Sequence, residues 1–239
     1  MGCAPAAQST TETAESGSLE ERVVSRFEDA LLFQRHKATD LCTALENCAN
    51  KGKLYQASFF GLLREMGLCV QGLEQEKSPL MSFYQQFRDG RGFELKRLRL
   101  LTALLARGEA KEKAAILFDT AVPGQATIDI QSVTDLVDDL LAISIDLLPT
   151  FAVRPDEGGL TQKSCVSLGL TLGKFKETVR DRLVNQVFQR QSSMNKEEFG
   201  VRVETDEGLK SMLTSKGLRR LLQAEAENPY NSATGKMEK

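Results

Sequence analysis

Apolar residues recur along the chain at helical spacing. After Ser18-Leu-Glu-Glu21, positions Val23/Val24, Phe27 and Ala30/Leu31 fall three to four residues apart. Serine followed by glutamate three residues later predicts a helix entered through a capping box. Thr39-Asp40 opens a second stretch through Leu41 and Leu45. The same periodicity predicts helices over 58–68, 78–87, 94–106, 110–118, 130–148, 172–188, 196–203 and 207–224. No run sustains the alternation of a half-buried strand. Glycines and prolines fall mostly between the periodic stretches: Gly52, Gly90 and Gly92, Pro123-Gly124, Pro155, Gly158-Gly159. The pattern predicts an all-α protein of about nine helices. Residues 154–163 (RPDEGGLTQK) read as a loop or linker in the second half. Residues 1–17 are small, polar and aperiodic, which predicts a disordered arm. Residues 225–239, ending NPYNSATGKMEK, read as a flexible tail.

The segments between helices share a layout. Residues 47–58, followed by Phe59, have the frame of an EF-hand loop. Gly52 stands at loop position 6, where the chain turns sharply, and Leu54 at position 8, which pairs with a neighbouring loop. A calcium loop needs oxygen at positions 1, 3, 5 and 12, the last a bidentate glutamate. Those positions hold Asn47, Ala49, Lys51 and Ser58. Three later segments follow the frame less closely: 87–93 is short, 118–128 is long, and 188–194 is short and lacks glycine. Glu198 alone stands where a terminal bidentate ligand would. If the loops pair as EF-hands do, Leu54 should approach Phe93, and Ile128 should approach Met194.

Residues 100–118 (LLTALLARGEAKEKAAILF) resemble the middle of the neuronal calcium sensor and calcineurin B-like proteins. There a helix ends in a Leu-Leu and glycine turn, followed by Glu-Lys and the third EF-hand. Glu197-Glu198-Phe199 and the later Asp206-Glu-Gly-Leu-Lys-Ser-Met-Leu213 resemble that superfamily's closing segment. Met1-Gly2 matches its lipidated start. The resemblance covers about 18–222 and implies two lobes of EF-hand-like helix-loop-helix pairs with degenerate loops, at 18–106 and 107–224. The family's calcium ligands have no counterpart at the matching positions.

Composition narrows the function classes. The 239 residues carry 31 Lys+Arg against 33 Asp+Glu, a formal charge of −2 that does not announce nucleic-acid binding. His36 is the one histidine, which argues against a histidine metal site and histidine acid–base catalysis. Cys3, Cys42, Cys48, Cys69 and Cys165 form no CxxC pair, so zinc is not expected. No cofactor motif occurs: phosphate-cradling GxxxxGK[ST] and GxGxxG are both absent. The chain shows no constellation of nucleophile, base and orienter, and an enzyme is not expected. Lys96/Arg97/Arg99 and Lys216/Arg219/Arg220 read as solvated helix faces, with anionic lipid as the alternative. Asp135, Asp138 and Asp139 read as an acidic helix face.

The start of the chain carries the one specific modification signal. Gly2 becomes an N-terminal glycine once Met1 is removed, which is the acceptor for myristate. In that myristoylation motif Ala6 replaces the usual serine or threonine, and Cys3 beside Gly2 is a palmitoylation candidate. One myristoyl chain binds membranes marginally, and two signals give stable residence. The expected protein is therefore a non-catalytic adaptor or regulatory subunit: cytoplasmic, peripheral on a membrane through Gly2 and Cys3, without a metal site. It would hold a partner's amphipathic helix in a hydrophobic groove, independently of calcium. The alternatives are a calcium-responsive sensor retaining one atypical site at 119–132, and an unrelated helical scaffold, for example cytoskeletal or ciliary.

Overall fold

The computed structural model describes residues 18–73, 75, 78–152 and 162–228. Helix α1 (Leu19–Ala30) begins as the sequence predicts, with Ser18 Oγ accepting from the Glu21 N–H at 3.2 Å. The return arm of the expected capping box is missing, because the Glu21 carboxylate faces Arg219. A 3-10 turn at Phe33–Arg35 leads to α2 (Ala38–Cys48), then β1 (Lys53–Leu54) and α3 (Gln56–Glu65). Helix α4 (Pro79–Gln85) passes through a tight hairpin, β2 (Arg88–Asp89) and β3 (Gly92–Glu94), into α5 (Leu95–Leu105). The second half runs α6 (Ala110–Ala121), β4 (Thr127–Asp129), α7 (Ile130–Leu141), α8 (Leu148–Phe151) and α9 (Gln162–Gly173). It continues with α10 (Lys176–Phe188), β5 (Ser193–Asn195), α11 (Lys196–Thr205), α12 (Glu207–Lys210) and α13 (Ser215–Ala226). The protein is mostly helical, as the periodicity predicts.

The short strands join the loops in pairs. Strand β1 runs antiparallel to β3 with Leu54 opposite Phe93, and β4 runs antiparallel to β5 with Ile128 opposite Met194. These are the two pairings that the loop spacing predicts. All four side chains are buried, so each pairing closes apolar surface as well as backbone hydrogen bonds.

Three helix boundaries differ from the sequence reading. The stretch 172–188 is not one helix, since α9 ends at Gly173 and α10 starts afresh after Phe175. Glycine is a poor helix interior residue, and a chain with a glycine at that point stops there readily. Helix α9 takes 162–163 of the expected linker into regular structure, and 154–161 lie outside the described residues. The stretch 207–224 is divided by Thr214, whose side chain accepts from the Gly217 N–H at 3.0 Å and caps α13.

The stretch 130–148 is continuous but widens into π-helix over Ala142–Leu147. Pro149 explains the widening. It has no N–H to give the Ile145 carbonyl four residues back, and its ring would clash there in a regular α-helix. A π-turn relieves both problems without ending the helix.

One apolar cluster runs through both halves, from Val23 to Leu222. Helix α1 packs against α8 and α9, α2 against α6, and α5 against α6 and α7. The expected lobe boundary at 106/107 is a seam inside this core. There the Ala38 N–H donates to the Arg107 carbonyl at 2.8 Å, and the Arg107 N–H to the His36 carbonyl at 3.1 Å.

Lys113 of α6 is buried beneath the 3-10 turn at Ser211–Leu213 and donates to the Leu213 carbonyl at 3.2 Å. Burial pushes its ammonium down from the ordinary 10.5 to about 8. Between those two values the unfolded chain binds the extra proton, so stability rises with pH through that window. Well below pH 8 the full penalty of roughly 3 kcal/mol stands. Urea unfolding should show wild type gaining on Lys113→Met by about that amount between pH 7.5 and 10.5. Parallel pH profiles for the two proteins would refute the assignment.

Candidate functional site

The loops that the sequence singles out meet in pairs, and their polar groups are engaged with one another. In the first loop Lys51 and Gly52 both adopt left-handed backbone, with φ of 50° and 75°. Glycine adopts that conformation without cost, and the pair makes the sharp turn expected at position 6. The turn aims the Gly52 carbonyl at the Leu95 N–H, 2.9 Å away at the head of α5. In the second segment the run RDGRG makes the tight turn its residues predict, with Gly90 at φ 62°. Its Asp89 meets Lys53 from the first loop, Nζ to carboxylate 2.5 Å and Nζ to the Asp89 carbonyl 3.3 Å.

The second pair repeats this arrangement. Asp119, at the end of α6, is met by Lys196 from the start of α11, at 2.6 Å. In each pair, then, a lysine ammonium from one loop region sits on an aspartate from the other. Both bridges are about half exposed, so each contributes at most about 1 kcal/mol. Their chemical meaning is larger than their energy, because they put fixed positive charge beside the loop carboxylates.

Two further carboxylates at the loop ends are engaged in helix caps. The Asp129 carboxylate caps α7 by accepting from the Ser132 N–H at 2.8 Å, and hydrogen bonds from the Ser132 side chain and then from its N–H hold its carboxyl below the usual range. Glu198, the sole candidate for a terminal bidentate ligand, closes a capping box on α11. It accepts from the Asn195 N–H at 2.9 Å, while Asn195 Oδ1 accepts from the Glu198 N–H at 3.0 Å. Among the described residues no three His, Cys, Asp or Glu side chains converge as a metal ligand set would.

The other residues marked in the sequence fall as follows. Gly2 and Cys3 lie outside the described residues. Cys42 and Cys165 are buried, and Cys48 and Cys69 are half-buried. Burial pushes the Cys42 thiol up to about 12, which leaves it protonated and unreactive at neutral pH. His36 is half-buried. The basic run on α5 is paired internally: Lys96 with Asp139, Arg99 with Glu46, and Arg97 with the Gln86 carbonyl and the Phe87 ring. The acidic face of α7 is its counterpart, with Asp138 facing Arg180 and Asp135 accepting from Gln131.

The second basic run needs a correction, because Arg219 is not on a solvated face. Its side chain is 2 % exposed. It grips Glu21 through Nε and Nη2, at 2.7 and 2.9 Å, and Glu28 through Nη1 at 2.6 Å. Nη1 also reaches the Ser144 carbonyl of the π-turn at 3.2 Å. Burial opposes the guanidinium's charge, but the two carboxylates overcome that and hold it protonated more firmly than usual. Sequence could have shown that Arg219 borders the apolar Leu218/Leu222 stripe, but not which carboxylates await it.

Concave surface is of two kinds. A shallow depression of about 690 Å³ is lined by Thr178, Asp181, Arg182, Asn185, Gln186 and Gln189 of α10. A second, of about 580 Å³, lies along α11. Deep in the first half, Phe33, Leu41, Phe59, Leu98 and neighbours enclose an apolar void of only about 10 Å³. No family model matches the chain, and no curated protein matches it either.

Proposed function

We propose that the protein is a non-catalytic adaptor of two EF-hand-like lobes, resembling the neuronal calcium sensor and calcineurin B-like superfamily, that works without calcium. The observation that carries this reading is the loop pairing. Leu54 meets Phe93 and Ile128 meets Met194 across loops whose acidic groups are held by Lys53, Lys196 and helix caps. Paired loops keep the helices at a fixed angle, and a fixed angle presents a constant surface to a partner's amphipathic helix. No helix among the described residues is long and apolar enough to cross a membrane. Attachment is assigned to Gly2 and Cys3, through myristate and palmitate, which would place the protein on the cytoplasmic face of a membrane.

Calorimetry tests the first half of this reading. Calcium titrated into the purified protein should reveal no site tighter than about 10⁻⁴ M, the weak end of the EF-hand range. A micromolar site would promote the sensor reading at 119–132. Fractionation of cells tests the second half. Gly2→Ala should release the protein to the cytosol, and Cys3→Ser should leave an exchanging membrane pool, because a single chain gives only marginal binding. Retention of Gly2→Ala on membranes would move the anchor elsewhere.

A further inference from the structure

The seat of α9 is built around a single missing side chain. Gly169 lies so close to the π-turn that a Cβ placed there would be 2.3 Å from the Ile145 carbonyl oxygen. Real Cβ atoms do not approach oxygen so closely, so only glycine fits without displacement. The oxygen in question is the one that Pro149 cannot serve in α-helical register. On either side of Gly169, Cys165 and Leu172 are fully buried, one turn before and one turn after. Helix α1 and helix α13 form the walls of this seat, and the π-turn forms its floor.

Helix α9 itself is a poor helix. It contains Gly169 and Gly173 together with β-branched Val166 and Thr171, all weak helix formers. Leu170, on its outer face, is 70 % exposed. Twelve residues of such composition are not stable as a helix in water, so α9 owes its form to the seat.

We propose that α9 is an exchangeable occupant of this seat, and that the partner helix the protein accepts there has the same chemistry. That helix carries a small residue, glycine above all, with apolar residues four positions before it and three after it. This inference rests on the helix-binding reading given above and deepens it: α9 competes with the partner, so binding requires α9 to leave. The floor stays in place during exchange because Arg219 holds the Ser144 carbonyl of the π-turn.

The test uses the full chain and its own segment as the probe. Hydrogen exchange is measured on wild type, Gly169→Leu and Gly173→Ala; a Cβ at position 173 meets nothing within 4 Å. In Gly169→Leu the amides of α9 should lose protection at least about tenfold while those of α5 and α6 keep theirs, the behaviour of local rather than global opening. Gly173→Ala should leave α9 protection equal or higher. A fluorescein-labelled peptide of residues 162–175 should then bind Gly169→Leu at least about tenfold more tightly than wild type, because its seat is vacant. The same peptide carrying Gly169→Leu should not bind. If Gly169→Leu does not fold, Gly169→Ala takes its place in both measurements.

Loss of protection throughout the molecule would overturn the proposal, since α9 would then be an inseparable part of the core. Unchanged protection of α9, or no binding of the peptide to an opened variant, would overturn it as well. None of these measurements needs an outside partner or calcium. Their failure is therefore distinct from failure of the adaptor reading, which the calorimetry and fractionation decide.

Discussion

Arg219→Met is expected to destabilise the protein by about 3–5 kcal/mol, read as a shift in the urea midpoint at unchanged slope. Removing the guanidinium leaves Glu21 and Glu28, only 14 % and 11 % exposed, facing each other without a cation. The loss is large because an uncompensated buried charge costs more than a buried pair contributes. Glu28 is further constrained by Ser215, whose hydroxyl donates to the same oxygen at 2.7 Å. Arg219→Lys should recover only part of the loss, since one ammonium cannot reproduce a forked grip on two carboxylates and a carbonyl. The triple variant Arg219→Met, Glu21→Gln, Glu28→Gln should recover most of it, because no charge is then left buried alone. A loss below about 1 kcal/mol for Arg219→Met would mean that water reaches the cluster.

Phe83→Ala should cost about 3–5 kcal/mol, the range for removing a buried aromatic ring. Phe83 is fully buried in α4 and lies within aromatic contact of four rings. Phe27 of α1 meets it edge-on at 5.4 Å, Phe87 at 5.3 Å, Tyr84 at 5.2 Å and Phe151 of α8 at 5.8 Å. This one ring joins the first helix, the fourth and the eighth. A cycle with Phe151→Ala should therefore show coupling of about 0.5–1.5 kcal/mol. Strict additivity would place α8 away from α4 in solution.

How much of this was legible in the sequence depends on the range of the interaction. Local signals read well. Ser18, the turns at Gly52 and Gly90 and most of the apolar stripes gave the elements, because each depends on residues within one or two turns. The pairings of Leu54 with Phe93 and Ile128 with Met194 were also legible, since a repeated loop frame carries its register with it. Interactions between distant segments were not. Lys113 reads as an exposed charge on an amphipathic helix until the Leu213 carbonyl is placed over it, 100 residues away. Glu198 stands in the sequence where a terminal bidentate ligand would, yet it accepts from the backbone three residues back. The extent of α9 was missed because its apolar residues and glycines lack a clear helical face. Its form is imposed by tertiary contact, which outweighs weak local preference.

The tie between Glu21 and Arg219 spans 198 residues of chain, and this sets a schedule for synthesis. Helix α1 is synthesised well before α8 and α9, against which it packs, and before the guanidinium that holds it. At about 5–20 residues per second, α1 waits roughly 10–40 s for its last partner. Throughout that interval the carboxylates of Glu21 and Glu28 lack the cation that they later hold, and α1 lacks the part of its core that the second half supplies. The nascent chain thus presents α1 to chaperones in the meantime, and α1 gains its buried ion pairs only when α13 emerges.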